Sequence, residues 1–102
     1  TGGDEINANC YATDAQTQSD LASRGLTIEQ ALDSFTQASH NALAEIGKTP
    51  VVWEEMVLDH QVTLPNDTLV LVWISSANVG AVAEKGFKVI HAASDYFYLD
   101  CG

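Results

Sequence analysis

The chain has 102 residues, 46% hydrophobic and 18% charged, a composition that fits one folded domain at most and excludes a disordered chain. Fourteen acidic residues against four basic ones give a formal net charge of −10, which argues against nucleic acids and anionic membranes as partners. No apolar run approaches the length of a membrane span. A neutral or cationic partner and an acidic working environment stay compatible with this charge.

The chain opens with two glycines and two adjacent carboxylates, Gly2-Gly3-Asp4-Glu5. Glycines remove bulk where a backbone bends or a ligand comes close, and carboxylates can hold a substrate and transfer a proton. Taken alone, such a pair is more often solvated surface than a site. Because this motif stands at the start of a chain without an initiator Met, we expect a piece of a longer protein.

Residues 6–25 are polar and predict a long surface loop with at most a helical turn in its middle. Residues 27–46 predict the clearest helix of the chain. Thr27 and Gln30 fit a capping box, apolar residues recur at helical spacing, and Gly47 supplies a stop.

Three short apolar runs predict β-strands at residues 49–53, 69–74 and 87–91. The middle run is apolar without alternation, which is typical of a strand buried on both faces. Residues 77–85 predict a short helix capped by Ser75 or Ser76, whereas the crossover at 54–68 lacks a convincing helix. The alternation predicts an α/β fold with a parallel sheet. The open edges of that sheet indicate that the chain is part of a larger domain, for which we expect a barrel.

Residues capable of chemistry fall at the predicted carboxyl ends of the strands, where a parallel α/β barrel carries its active site. In chain order they are Asp4 and Glu5, which would end a first strand formed by residues before Thr1, and then Trp53, Trp73, Tyr98 and Asp100. An extended segment at 96–100 would place Tyr96, Tyr98 and Asp100 on one face. Aromatic faces pack on pyranose rings and carboxylates accept hydrogen bonds from hydroxyls, so this rim suits a sugar.

Each of these residues also has a simpler structural interpretation. Either tryptophan could belong to the core, and Tyr98 could lie at the surface. Glu54 and Glu55 predict a solvated pair or an anchor for the loop after Trp53, and His40 is expected to be exposed on its helix. His and Cys spacing predicts no metal site, and no glycine-rich phosphate loop is present, so no cofactor is predicted.

Four segments resemble, in order, motifs of the β-N-acetylhexosaminidases of glycoside hydrolase family 20. They are Gly2-Gly3-Asp4-Glu5, Val52-Trp53-Glu54-Glu55, Leu64-Pro65 with Val72-Trp73, and Tyr98-Leu99-Asp100. The polar insert with Asn9-Cys10-Tyr11 resembles the fungal secreted branch. The resemblance implies that residues 1–102 form the middle-to-late part of a catalytic (β/α)8 barrel. It implies an exo-acting enzyme that removes terminal N-acetylglucosamine or N-acetylgalactosamine from chitooligosaccharides or glycans.

The resemblance also implies roles for the rim. In this family the substrate's own acetamido group is the nucleophile. Glu5 would act as general acid and then general base, Asp4 would hold the acetamido N–H, and Tyr98 would donate to the acetamido oxygen. Of the substrate-binding residues, Trp53 and Trp73 would surround the acetamido methyl group, and Asp100 would bind hydroxyls of the terminal sugar.

A His, an Arg and a late Trp of the family's site lie outside this chain, so the chain alone is not expected to catalyse. Carbohydrate is the expected partner, and a homodimer of the parent enzyme is possible. A non-catalytic module that binds N-acetylglucosamine on the same rim is the main alternative. A small acidic α/β domain without a sugar site is a third.

Two cysteines and a glycosylation sequon indicate where in or outside the cell the protein resides. Cys10 and Cys101 could bridge each other or pair outside the chain. On a barrel the strand ends that they follow are not neighbours, so the resemblance implies disulfide partners outside the chain. Asn66-Asp67-Thr68 is an acceptor for N-glycosylation. Together with the acidic composition, these features favour a secreted protein.

Overall fold

The computed structural model describes residues 1–100, in which helices and parallel strands alternate. The elements are α1 (Ala8–Thr13), α2 (Ala15–Arg24), α3 (Ile28–Glu45), β1 (Val51–Trp53), α4 (Glu55–Leu58), β2 (Leu69–Val72), α5 (Asn78–Glu84), β3 (Lys88–His91) and α6 (Ser94–Phe97). No helix within this range is long and apolar enough to cross a membrane. The predicted α/β class with a parallel sheet is confirmed.

The sheet runs β1-β2-β3, with every pair parallel. On the free edge of β1, Gly2 forms a parallel bridge with Val52, and its carbonyl accepts the Trp53 N–H at 3.1 Å. The segment ahead of Asp4 therefore lies where the sequence predicted a first strand. Spatial order follows chain order, which is the arrangement of a (β/α)8 barrel.

Valines of β1 and β2 form the core. Val52, Val70 and Val72 are buried, and Val82 of α5 packs into the same cluster. Leu69 and Leu71, on the other face of β2, are only half-buried. The predicted burial of β2 is therefore confirmed for the face that carries Val70 and Val72.

Helix α3 begins and ends as its sequence predicted. Thr27 Oγ1 accepts the Gln30 N–H at 3.2 Å, and the Gln30 side chain accepts the Thr27 N–H at 2.9 Å. The prediction that His40 is exposed is wrong, because the residue is 2% exposed and lies 2.9 Å from Thr1 Oγ1 through its Nε2. Burial lowers the pKa of His40.

Residues 6–25 form two helices instead of the predicted loop. The Asn7 side chain caps α1 by accepting the Cys10 N–H at 3.1 Å. Asp14 ends α1 and caps α2, accepting the N–H and the hydroxyl of Thr17, which together lower the pKa of its carboxyl. Gly25, at φ +63°, ends α2. The polar composition is therefore that of capped, solvent-facing helices.

The crossover between β1 and β2 contains only the single turn α4, in agreement with the missing helix that the sequence indicated. Two carboxylates of α3 bind the part of this crossover that follows α4. Glu29 accepts the Gln61 N–H at 3.0 Å and pairs with His60 at 2.9 Å, and Asp33 accepts the Thr63 N–H at 2.6 Å. Helix α3 thus fastens the loop that follows β1.

The regions around α5 and after β3 differ from expectation. Helix α5 has no side-chain cap, although Ser75 or Ser76 was predicted to provide one. The Ser75 hydroxyl accepts the N–H of Ala77, ahead of the helix, and Ser76 donates its N–H to Asp95. The extended segment predicted at 96–100 is wrong, because residues Ser94–Phe97 form the helical turn α6. The Ala93 carbonyl accepts the N–H groups of both Tyr96 and Phe97, which curls the chain. The shared face proposed for Tyr96, Tyr98 and Asp100 is lost with it.

We predict that Gly3→Ala destabilises the protein more than Gly2→Ala does. Both glycines have positive φ, +74° at Gly2 and +95° at Gly3, which costs an L-residue about 1–2 kcal/mol. At Gly3 the added Cβ would also overlap Cγ and Sδ of Met56, whereas the space at Gly2 is open. Overpacking adds about 1–3 kcal/mol. Thermal unfolding of the full-length protein checks the order, and equal losses would contradict it.

Acid should weaken the attachment of α3 to the crossover. The Gln61 N–H, and then His60, hold the pKa of Glu29 below its ordinary value of 4.5. A carboxyl with a lowered folded pKa stabilises fully above its unfolded pKa, and this contribution is lost as pH falls through the folded pKa. We expect the stability difference between wild type and Glu29→Gln to shrink below about pH 4.5 in denaturation series. A difference independent of pH would contradict this assignment.

Candidate active site

The predicted site residues gather at one edge of the sheet, beyond the carboxyl ends of the strands. Asp4 and Glu5 follow the segment beside β1, Trp53 is the last residue of β1, and Trp73 directly follows β2. Both carboxyl side chains at positions 4 and 5 are exposed, while the two tryptophans are half-buried. The carboxylates therefore face solvent beside a partly open aromatic surface.

Glu5 has an unusual backbone conformation. Its φ is +52°, and within residues 1–100 it is the one non-glycine residue with positive φ. This conformation costs a residue with a Cβ about 1–2 kcal/mol. Strain of this kind persists where surrounding contacts fix the chain, and it concentrates at functional sites. The contacts that fix Glu5 come from the end of β1.

Glu55 connects Glu5 to the second tryptophan. One carboxylate oxygen, Oε1, accepts the Glu5 backbone N–H at 3.3 Å, and the other, Oε2, accepts the Trp73 indole N–H at 3.0 Å. The residue is 7% exposed. One side chain thus spans from the acidic motif to the loop after β2.

Glu54 anchors the same loop from the other side. Its Oε1 accepts the backbone N–H groups of Trp73 and Ile74 at 2.8 and 2.7 Å, and its Oε2 accepts the Asn78 side-chain amide. At 1% exposed, Glu54 is not part of a solvated pair, and that interpretation is wrong. The alternative of an anchor is correct in kind, although the loop that is held follows Trp73. The position of both glutamates directly after a strand was the signal that could have identified them.

The two tryptophans contact each other edge to face. Their ring centroids are 6.1 Å apart at an interplanar angle of 73°. Such a contact stabilises by about 0.5–1.5 kcal/mol and fixes the relative tilt of the rings. Both side chains are half-buried and keep some exposed surface.

Tyr98 is connected to Trp73 through α6. Ser94 donates its backbone N–H to the Trp73 carbonyl and its hydroxyl to the Ile74 carbonyl, both at 2.7 Å. Asp95 accepts the hydroxyl and the N–H of Ser76, which lower the pKa of its carboxyl. Tyr98, 37% exposed, follows this turn and donates its N–H to the Ser94 carbonyl. The loop after β2 and the chain leading to Tyr98 therefore form one hydrogen-bonded unit.

The remaining predicted residues lie in different settings. Asp100 is exposed two residues beyond Tyr98, and Asn66 is exposed in the crossover. Cys10 is an exposed free thiol within the described part of the chain, whereas Cys101 lies outside that part, so the disulfide prediction stays a prediction. Across residues 1–100, no three His, Cys, Asp or Glu side chains are grouped to hold a metal ion.

An apolar groove of about 370 Å³ lies away from this rim. It is bounded by the start of the chain, α1 and α3, with Ile6, Tyr11, Leu32, Phe35 and Met56 among its lining. The predicted site residues do not line it. Its lining is largely apolar, but it also includes the paired side chains of Glu29 and His60.

We predict that Glu54→Leu is far more damaging than Glu54→Gln. Leucine leaves three N–H groups without their acceptor, at about 1–3 kcal/mol for each donor that stays buried. Glutamine keeps a carbonyl oxygen for Trp73 and Ile74, and the Asn78 amide can rotate to accept from the new NH2 group. Thermal unfolding and near-UV circular dichroism of the full-length protein measure the two variants. Similar losses in both would contradict the anchoring role.

Comparisons with known proteins match the chain along its whole length. A family model described as "Glycosyl hydrolase family 20, catalytic domain" matches residues 1–102. A beta-hexosaminidase of Arthroderma benhamiae is 38% identical over 100% of this chain and 18% of its own length. One from Emericella nidulans is 30% identical over 99% of this chain, and beta-hexosaminidase 1 of Arabidopsis thaliana is 29% identical over 97%. The chain spans about 18% of the length of these three relatives. The match along its whole length shows that the chain belongs to glycosyl hydrolase family 20.

Proposed function

We propose that the protein carrying this chain is an exo-acting β-N-acetylhexosaminidase. It removes terminal N-acetylglucosamine or N-acetylgalactosamine from chitooligosaccharides or glycans with retention of configuration. The observation that supports this most is the link from the strained backbone of Glu5 through Glu55 to the Trp73 indole. It sets an exposed carboxylate at a fixed place beside an aromatic wall, in a family whose matched relatives are named beta-hexosaminidases.

In the first step of the proposed reaction, the acetamido carbonyl oxygen of the substrate attacks the anomeric carbon. The bond to the leaving-group oxygen breaks, and Glu5 donates a proton to that oxygen. The product is a cyclic oxazolinium ion. In the second step Glu5, now a carboxylate, takes a proton from a water molecule that attacks the same carbon and reopens the ring. Two displacements at one carbon retain its configuration. The exposure of Glu5 at the rim suits both proton transfers.

Asp4 and Tyr98 serve the acetamido group in this proposal. The Asp4 carboxylate accepts the acetamido N–H and stabilises the positive charge that spreads over the ring in the transition state. The Tyr98 hydroxyl donates to the carbonyl oxygen and aims it at the anomeric carbon. The exposure of Asp4 next to Glu5 supports its part in this proposal, and the position of Tyr98 after the turn fastened to the Trp73 loop supports that of Tyr98.

The aromatic residues and Asp100 would provide binding and specificity. Trp53 and Trp73, tilted by 73° to each other, would enclose the acetamido methyl group from two sides. Asp100 would accept hydrogen bonds from hydroxyls of the terminal sugar and so favour removal of one residue from the chain end. The enzyme is proposed to be secreted, with a glycan on Asn66, which is exposed, and with disulfides from Cys10 and Cys101 to residues outside this chain.

Replacing Glu5 tests this function in the full-length protein. Glu5→Gln should lower kcat/KM for 4-nitrophenyl N-acetyl-β-glucosaminide by at least about 10²–10⁴-fold, because the proton transfers are lost. Glu84→Gln, an exposed carboxylate on α5, is the matched control and should keep wild-type activity. Full activity of Glu5→Gln would exclude the assignment.

Fluorination of the substrate's acetamido methyl group tests the internal nucleophile. Each fluorine withdraws electron density from the carbonyl oxygen, so kcat/KM should fall stepwise along the mono-, di- and trifluoro series. A rate that does not respond to fluorination would point to a nucleophile supplied by the enzyme. Binding of N-acetylglucosamine oligomers without any hydrolysis would instead support the non-catalytic module.

A further inference from the structure

We propose that Glu55 is a positioning residue that sets the acid/base Glu5 and the Trp73 wall at a fixed separation. This inference rests on the proposed function, since it assigns the contacts of Glu55 to the geometry of that reaction. Glu55 itself is 7% exposed and has an N–H donor on each oxygen. It is therefore placed to hold its neighbours and not to react with substrate.

The first contact fixes the catalytic backbone. Glu5 stands in a left-handed conformation that a residue with a Cβ adopts only under constraint. The backbone N–H of that same residue donates to Glu55 Oε1, across 50 positions of sequence. A bond to a carboxylate is stronger than one to a neutral acceptor, so Glu55 is suited to oppose relaxation of the turn. At 3.3 Å the bond is long for an N–H···O contact.

The second contact fixes the indole ring. Glu54 holds the backbone N–H of Trp73, but a ring held only through its backbone could still rotate about its side-chain bonds. The bond from the indole N–H to Glu55 Oε2 removes that freedom, and the edge contact with Trp53 completes the restraint. Glu54 thus fixes the backbone of Trp73, and the adjacent Glu55 fixes its ring.

Both contacts belong to a single carboxylate, which couples the two parts of the site. Movement of Glu55 would shift the proton donor and the wall that orients the acetamido group together. A displacement of about 1 Å at such a site can cost on the order of 10²-fold in rate. Glu55 would therefore act on the reaction through Glu5 and Trp73, without touching substrate.

Glu55→Gln in the full-length protein tests this role. A carboxamide offers one carbonyl oxygen and one NH2 group, so one of the two N–H donors loses its acceptor. We expect kcat to fall about 10- to 100-fold for N,N′-diacetylchitobiose. Glu29→Gln is the matched control, because Glu29 also accepts two hydrogen bonds across the fold but lies on α3. At neutral pH the control should keep wild-type rates.

The decisive readout is the ratio of kcat/KM for two substrates. An activated leaving group such as 2,4-dinitrophenolate departs with little help from an acid, whereas a sugar leaving group needs the proton of Glu5. Mispositioning of Glu5 should lower turnover of chitobiose more than that of the dinitrophenyl substrate, which changes the ratio. The ratio does not depend on how much of the variant is folded. An unchanged ratio in Glu55→Gln, or wild-type rates, would overturn the proposal.

Two further variants complete the test. Glu5→Gln should change the ratio in the same direction, and the double variant should change it no further than Glu5→Gln alone, since both act on one group. An additional, independent change would overturn the proposal. Full activity of Glu5→Gln would overturn the proposed function, and with it the role of Glu55. The Glu5→Gln variant keeps Glu55, so its activity tests the proposed function separately from the role of Glu55.

The indole contact has its own signal. Near-UV circular dichroism of Glu55→Gln should differ from that of wild type and of Glu29→Gln, because the Trp73 ring is released. The difference should disappear in a Trp73→Phe background. An unchanged spectrum would overturn the assignment of Trp73 to Glu55.

Discussion

The candidate site depends on two adjacent buried carboxylates, Glu54 and Glu55, that directly follow the short strand β1. Glu54 and Glu55 receive five N–H groups between them, from the acidic motif, from the loop after β2 and from α5. Burying a carboxylate is costly unless its oxygens are satisfied, and here N–H dipoles satisfy them. Each hydrogen bond to a charged group contributes about 1.5–3 kcal/mol. Once β1 is placed, these two side chains determine where its neighbours can lie.

From these two anchors the rim can be followed outwards. Glu55 reaches back to Glu5, while Glu54 reaches forward to Trp73, and Ser94 continues the connection from Trp73 towards Tyr98. Every step joins one strand end to the next in the sheet. A parallel sheet in which chain order and spatial order agree makes such steps short. The geometry that the proposed chemistry needs is therefore assembled from nearest neighbours.

Local signals in the sequence predicted much of this fold and not all of the site. The capping box at Thr27, the three strands and the rim positions of Glu5, Trp53 and Trp73 follow from patterns within a few residues. Burial of Glu55 does not, because its donors stand 50 and 18 positions away. The same holds for the buried His40, whose ring nitrogen contacts a residue 39 positions distant. The loop predicted in place of α1 and α2 is a different kind of error. The caps Asn7 and Asp14 are visible in the sequence, but the polar composition favoured a loop.

The close packing of Gly3 on Met56 has a consequence for how this motif can vary. A Cβ at Gly3 would overlap the side chain of Met56, and the positive φ of Gly3 disfavours a Cβ as well. The second glycine of the acidic motif and the side chain at position 56 therefore occupy one shared volume. A smaller residue at position 56 would remove this overlap, but the φ of +95° would still strain any residue other than glycine at position 3. The second glycine of the motif is therefore constrained both by its own backbone and by a side chain far away in sequence.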